Sequence, residues 1–203
     1  MPLPPASSVR TPVHTRAVSI EVFRRDDGLW DVEAQLHDSK PHPLPLRSGV
    51  RAAGEPVHWM HLRVTIDARF DVVAAEAASD AVPYPGHCDP AADAYRRRVG
   101  LNLLKGFRRG VLERLGGVAG CTHLSELAQF LPTAAVQAFA GDATALEAAR
   151  STFGGGDTPP FQLDRCHAMR TDGEAVRLYY PRWYRAGGGE VETVPIDSQG
   201  EDR

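Results

Sequence analysis

The chain has 203 residues, 42% of them hydrophobic, and a formal charge of −3. Such a length suits one domain, and the composition allows a core that hides roughly 70% of the surface an unfolded chain exposes. A pI near 6.2 excludes long-range attraction to nucleic acid or to anionic membranes. No run approaches the ~20 apolar residues of a spanning helix.

Residues 1–15 are rich in Pro, Ser and Thr and read as an arm. Residues 16–185 read as one α+β domain, and 186–203, polar with three consecutive glycines, as a flexible tail. The opening Met1-Pro2-Leu3-Pro4-Pro5 lacks the basic and apolar regions of a secretory signal. The three cysteines are few and far apart, unlike a disulfide scaffold. A reduced, cytoplasmic setting is the expectation.

The first elements are strands. Val18, Ile20 and Val22 alternate with polar residues, Asp27-Gly28 offers a turn, and Trp30, Val32, Ala34 and Leu36 alternate again. Glycine tolerates the positive φ that such turns require. After a Pro-rich stretch from Pro41 to Pro56, Met60, Leu62, Val64 and Ile66 repeat the pattern, and Phe70, Val72 and Ala74 begin a return strand. The two hairpins predict a four-stranded antiparallel sheet.

Helices come next. Asp89-Pro90 is a good start signal, and Tyr95, Val99, Leu103, Phe107 and Val111 recur every four residues up to Gly116-Gly117, predicting one long helix. A second helix opens near Thr122 and is interrupted at Pro132; a third follows Asp142. Residues 165–180, with Val176, Leu178 and Tyr180 alternating, predict a further hairpin. The fold expected is thus α+β, an antiparallel sheet of two or three hairpins packed against a long helix and two shorter ones.

Chemistry concentrates on cysteine and histidine. Cys88 and Cys121 each precede a predicted helix start, where backbone N–H groups favour a thiolate. Gly120-Cys121-Thr122-His123 sets an imidazole near a thiol, and Cys166-His167 adjoins the last expected hairpin. His58 falls on the buried side of its strand. Three readings stand. In one, Cys88, Cys121, His123 and Cys166 bind a metal, zinc being the ion that thiolate and imidazole prefer, with His58 and His167 lining the pocket. Against it, neither Cys-x-x-Cys nor His-Glu-x-x-His occurs, and neighbours in a strand point to opposite faces, so Cys166 and His167 cannot both enter one site. In the second, Cys121 is a nucleophile with His123 or His167 as its base. In the third, the cysteines are small buried hydrophobes. Asp38 and Lys40 read as a surface pair or the lip of a site, the surface pair being favoured, and Arg96 to Arg98 as a solvated face.

The segments Asp26 to Asp31, Asp38-Ser39-Lys40, Val57 to Met60, Pro85 to Cys88, Gly120-Cys121-Thr122-His123-Leu124 and Cys166-His167-Ala168 together resemble the bacterial family of unknown function DUF2889, from about Arg16 to Tyr184. Ser39 stands where the family pattern has Thr. The resemblance implies a bacterial cytoplasmic protein and places His58, Cys88, Cys121, His123, Cys166 and His167 within the family's recognisable segments. It supplies no activity.

The function expected is a small-molecule enzyme of lyase or hydrolase type, with its pocket where the sheet meets the two helix starts. The rival is a non-enzymatic ligand-binding or assembly module with structural cysteines. A small-molecule ligand and self-association are the partners expected, and nucleic acid and membrane are not.

Overall fold

A computed structural model describes residues 3–88, 94–96, 99–141, 159–160 and 162–186. The chain divides into two compact units, Met1–Phe153 and Gly154–Arg203.

In the first unit, residues 3–14 carry no regular structure and are exposed. Strands β1 (Thr15–Arg24) and β2 (Trp30–Ser39) follow, then the small hairpin β3 (Leu44–Leu46) and β4 (Gly49–Arg51), then β5 (Pro56–Ile66) and β6 (Val72–Ala81). The large sheet is antiparallel in the order β1-β2-β5-β6. Both hairpins stand where alternation predicts them. The first turn is wider than two residues: Arg25 N–H bonds to Leu29 C=O, with Gly28 at φ 82° inside the loop. The Pro-rich stretch, read as loop, forms the extra hairpin β3–β4.

Alternation gives the sheet two unlike faces. Trp30, Val32, Ala34 and Leu36 of β2 and Met60, Leu62, Val64 and Ile66 of β5 are buried, while the residues between them face outward. Helices α1 (Phe107–Leu115), α2 (Thr122–Ala128) and α3 (Leu131–Gly141) supply Phe107, Val111, Leu124, Leu127 and Phe139 to the same core. Phe139 lies between Trp30 and Phe70, with ring centroids 4.4 and 4.3 Å away. α2 packs on β2 and β5, and α3 on β1 and β2. Pro132 sits in the first turn of α3, where its missing N–H costs nothing, so the predicted interruption is the break between α2 and α3.

The predicted long helix is shorter than its apolar stripe. Helix α1 begins at Phe107, and the chain before it runs along the sheet: Val72 N–H bonds to Leu101 C=O, and Gly100 N–H to Val72 C=O. Gly100 and Gly106 have φ of 83° and 66°, left-handed conformations that end a right-handed helix. Leu103, Phe107, Val111 and Leu115 are buried as the stripe requires, but Leu103 reaches the core from a turn. The start signal at Asp89-Pro90 and the helix expected after Asp142 lie outside the described residues.

The second unit holds no hairpin among its described residues. Helix α4 (Glu174–Tyr179) lies between 3-10 turns at His167–Met169 and Pro181–Trp183. Three alternating residues are too few to separate strand from helix. Here Glu174 and Arg177, three apart, form an ion pair on the helix surface, and of the alternating set Val176 is buried while Leu178 is exposed. Residues from 187 onward lie outside the described residues. Among the described residues, no helix is long and apolar enough to cross a membrane.

Candidate functional site

The buried face of the sheet ends in polar side chains. Asp38 continues the inward row Trp30, Val32, Ala34 and Leu36 of β2, and its side chain is 2% exposed. The register pairs Arg16 of β1 with Asp38, and Asp38 with His58 of β5, so one row across three strands carries a guanidinium, a carboxylate and an imidazole. The register then shifts, with Ser39 opposite Pro56 and Val57 left without a partner. Such a bulge re-aims side chains. Here Val57 and His58, although adjacent, are both largely shielded from solvent.

A carboxylate this deep needs compensation. The Arg16 fork donates twice to Asp38, Nε to Oδ1 and Nη2 to Oδ2, both at 2.8 Å, while its Nη1 donates to Glu126 at 2.6 Å. Bidentate pairing of this kind fixes the carboxylate's plane as well as its charge. His58 Nδ1 lies 3.1 Å from Asp38 Oδ2, and His14 Nε2 lies 3.4 Å from Oδ1. Burial pushes the Asp38 carboxyl up, but Arg16, with His58 and His14, more than offsets this and holds it below the ordinary carboxylate value.

The second half of the site comes from α2. Cys121 is its N-cap residue, and its backbone is held by Tyr95: the buried Tyr95 hydroxyl donates to Cys121 C=O at 2.6 Å and accepts from Cys121 N–H at 2.9 Å. Gly120 fits here because a Cβ would meet Leu115 O at 2.5 Å. One turn of helix then places His123 over His58, ring centroids 3.9 Å apart and planes tilted by 32°. His123 Nε2 points at Asp38 Oδ2 from 3.9 Å, and its Nδ1 lies 3.9 Å from Cys121 Sγ.

The protonation states follow from this crowding. Burial, and then the neighbouring His123, lower His58 below the ordinary histidine value despite Asp38. Burial pushes the Cys121 thiol up, but His123 and the backbone N–H groups of Leu124 and His123 outweigh it, leaving the thiol below its usual value.

Asp38, His58 and His123 each offer a ligand atom, and these atoms all lie within 4.8 Å of one another. The group could hold a metal ion. Two ligands about 2.0–2.1 Å from a tetrahedral zinc stand about 3.3 Å apart; the separations from Asp38 Oδ2 are 3.1 and 3.9 Å. Neutral imidazole is the ligating form, and His58 is biased toward it. Arg16 would remain as the hydrogen-bond partner of the ligating carboxylate.

The structure brings together His58, Cys121 and His123 from the residues singled out by sequence, and adds Asp38, Arg16 and His14. Cys88 stands in the turn after β6, its N–H on Tyr84 C=O, and packs half-buried against the core; among the described residues it joins no such ligand group. Cys166 and His167 belong to the second unit, where Cys166 precedes and His167 opens a 3-10 turn rather than a strand, and Cys166 is exposed. Of the two readings of Asp38 and Lys40, the favoured surface pair gives way to a buried Asp38 bound to Arg16 within the site. The signal for this correction was in the alternation: one more step beyond Val18, Leu36 and Met60 reaches Arg16, Asp38 and His58.

Fold and site together define an α+β protein with an imidazole–carboxylate centre under the end of an antiparallel sheet. The chain belongs to the DUF2889 family, a protein family of unknown function, whose model matches residues 14–137. The matched stretch contains every residue of the centre and ends before Cys166 and His167. No curated protein and no solved structure matches the chain.

Proposed function

We propose that this protein is a metal-dependent enzyme acting on a small molecule, of hydrolase or lyase type, with the ion held by Asp38, His58 and His123. One observation carries the reading: a carboxylate oxygen and two imidazole nitrogens converge on one shielded point, with Arg16 bracing the carboxylate from behind. Two imidazoles and one carboxylate are a zinc donor set that leaves a coordination position open. When bound there, such an ion would supply a Lewis acid and a water with a pKa of about 7. The same donor set also serves non-haem iron, so the identity of the ion decides between hydrolytic and oxidative chemistry; zinc is the ion we favour.

The protein's own groups have defined parts. Arg16 holds Asp38 in one plane. Tyr95, by clamping the Cys121 backbone, fixes the start of α2 and with it His123. With the proton of His123 on Nδ1, Cys121 Sγ, 3.9 Å away, would accept from it and the lone pair of Nε2 would point inward, the tautomer a metal requires.

Elemental analysis of the protein, purified without added metal, tests this. About one ion per chain is expected, absent in His58→Ala and His123→Ala and retained in Cys88→Ser. A metal-free protein that takes up no zinc, iron or manganese on titration refutes it.

A second reading draws on a separate observation. Cys121 Sγ, His123 and Asp38 stand in the order thiol, imidazole, carboxylate, with the two ring nitrogens facing opposite partners. This is the arrangement of a nucleophilic cysteine with its oriented base. It predicts selective alkylation of Cys121 near neutral pH, slowed in His123→Ala, in protein that holds no metal.

A further inference from the structure

We infer that β1 is the interface of a homodimer, in which two copies pair their first strands antiparallel and continue the sheet across a two-fold axis. The two edges of the sheet differ. β6 is guarded: Gly100 and Leu101 bond to Val72 at its start, its pairing with β5 is broken by two register shifts, and Glu76 and Asp80 stand along it. Irregular pairing, charge and covering segments are the usual protections of an edge. β1 carries charge at Arg16, Glu21 and Arg24 but lacks the other two protections. It runs ten residues, from Thr15 to Arg24, contains no proline and pairs with β2 without a shift, and among the described residues no backbone group outside β2 bonds to the stretch from Thr15 to Phe23.

β1 is also unusually apolar for an open edge. Its inward row is Val18, Ile20 and Val22, opposite Leu36, Ala34 and Val32. The helices cover this row only in part, and Val18 remains 38% exposed. On the outward row Phe23 is 44% exposed.

The occupant follows from the order of side chains. In an antiparallel pair, directly opposite residues share a face, so a two-fold axis must pass through one residue of the strand. With the axis at Ile20, that residue meets Ile20 of the partner subunit, and Val18 meets Val22 of the partner subunit. On the other face Ala17 lies opposite Phe23 of the partner subunit, a small residue against a large one, and Ser19 lies opposite Glu21 of the partner subunit. The apolar row reads the same in both directions about its centre, as an isologous contact requires. Arg16, which falls opposite Arg24 of the partner subunit, has its charge met at home by Asp38 and Glu126.

Continuing the register two residues sets His14 against Asp26 of the partner subunit. Since His14 touches Asp38, the partner's first turn would stand beside the metal-binding centre. The exposed arm before it, with Leu3 94% and Val9 103% exposed, would run onto the second copy.

Sedimentation equilibrium of the full chain tests the pairing. The wild type should have twice the 22.1 kDa chain mass, and Val18→Glu, which sets a carboxylate against an apolar partner, should return it to 22.1 kDa with unchanged far-UV circular dichroism. Oxidised Ile20→Cys should form a covalent dimer above the wild-type background, because opposed Cα atoms about 4.5–5.5 Å apart suit a disulfide. Ala17→Cys should not, its two copies being six residues apart along the strand, or about 20 Å. A wild type that stays monomeric overturns the inference. So does a dimer that survives Val18→Glu and gives no crosslink through Ile20→Cys.

Discussion

Asp38 is the side chain on which the candidate site turns. Its charge is shielded from water and balanced by Arg16, with His58, His123 and the more exposed His14 beside it, so removing the carboxylate leaves the guanidinium with Glu126 alone and deprives the histidines of their partner. Breaking a buried pair from one side costs about 3–5 kcal/mol, and because Arg16 is one-third exposed the lower end applies. Asp38→Ala should lose about 3 kcal/mol in urea denaturation, and the metal with it. The pH dependence has a defined sign. His58 and Asp38 both have folded-state pKa values below their unfolded ones, so in the window below each ordinary value the unfolded chain binds more protons, and stability falls with falling pH. In chelator-treated protein the loss should begin below about pH 6.5 and steepen below about pH 3.9, the unperturbed values of the two groups. His58→Gln should remove the first phase and leave the second. A flat stability profile between pH 7 and 5 in the wild type would contradict the assignment of His58.

Helix α2 matters less for its length than for how its start is tied down. Its N-cap, Cys121, makes no side-chain cap; instead the Tyr95 hydroxyl satisfies both Cys121 backbone groups and lies 2.9 Å from Ser125 Oγ. Tyr95→Phe removes one oxygen, leaves the shielded Cys121 N–H without its partner and takes from the Cys121 C=O one of its two donors, the other being Ser125 N–H, a loss of about 1–3 kcal/mol. Because the same clamp orients His123, metal affinity should fall as well, which a purely structural role for Tyr95 does not require. Isothermal titration with zinc, run beside thermal melts, separates the two effects. Gly120→Ala should act in the same direction, since its methyl group has no room beside Leu115 O, and overpacking of this kind costs about 1–3 kcal/mol.

Taken as a whole, the first unit joins two structures of different kinds: a sheet whose row Arg16–Asp38–His58 is set by strand register, and a helix start that lowers His123 onto that row. A ligand that binds only when both are in place stabilises the folded state by linkage, about 2.7 kcal/mol at a hundredfold excess over its dissociation constant. Zinc should therefore raise the melting temperature of the wild type, and the increment should vanish in His123→Ala. An equal increment in that variant would place the ion elsewhere.

Alternation was legible along the chain because burial on one face of a sheet imposes a period of two wherever the strand runs. It yields both large hairpins, the inward placing of His58 and, taken one step further, those of Arg16 and Asp38. The family could also be recognised, since Gly120-Cys121-Thr122-His123-Leu124 is a local string. Other features were not legible. The apolar stripe from Tyr95 to Val111 suits a helix, yet Gly100 and Gly106 take positive φ and part of it lies along the sheet; a period of four records which residues are buried and not the path between them. Likewise nothing local tells that Asp38, rather than a cysteine, joins His58 and His123. Strand pairing and the seating of α2 bring together residues 20, 85 and more positions apart, and such proximity depends on the packing of the entire core, which no stretch of sequence contains by itself.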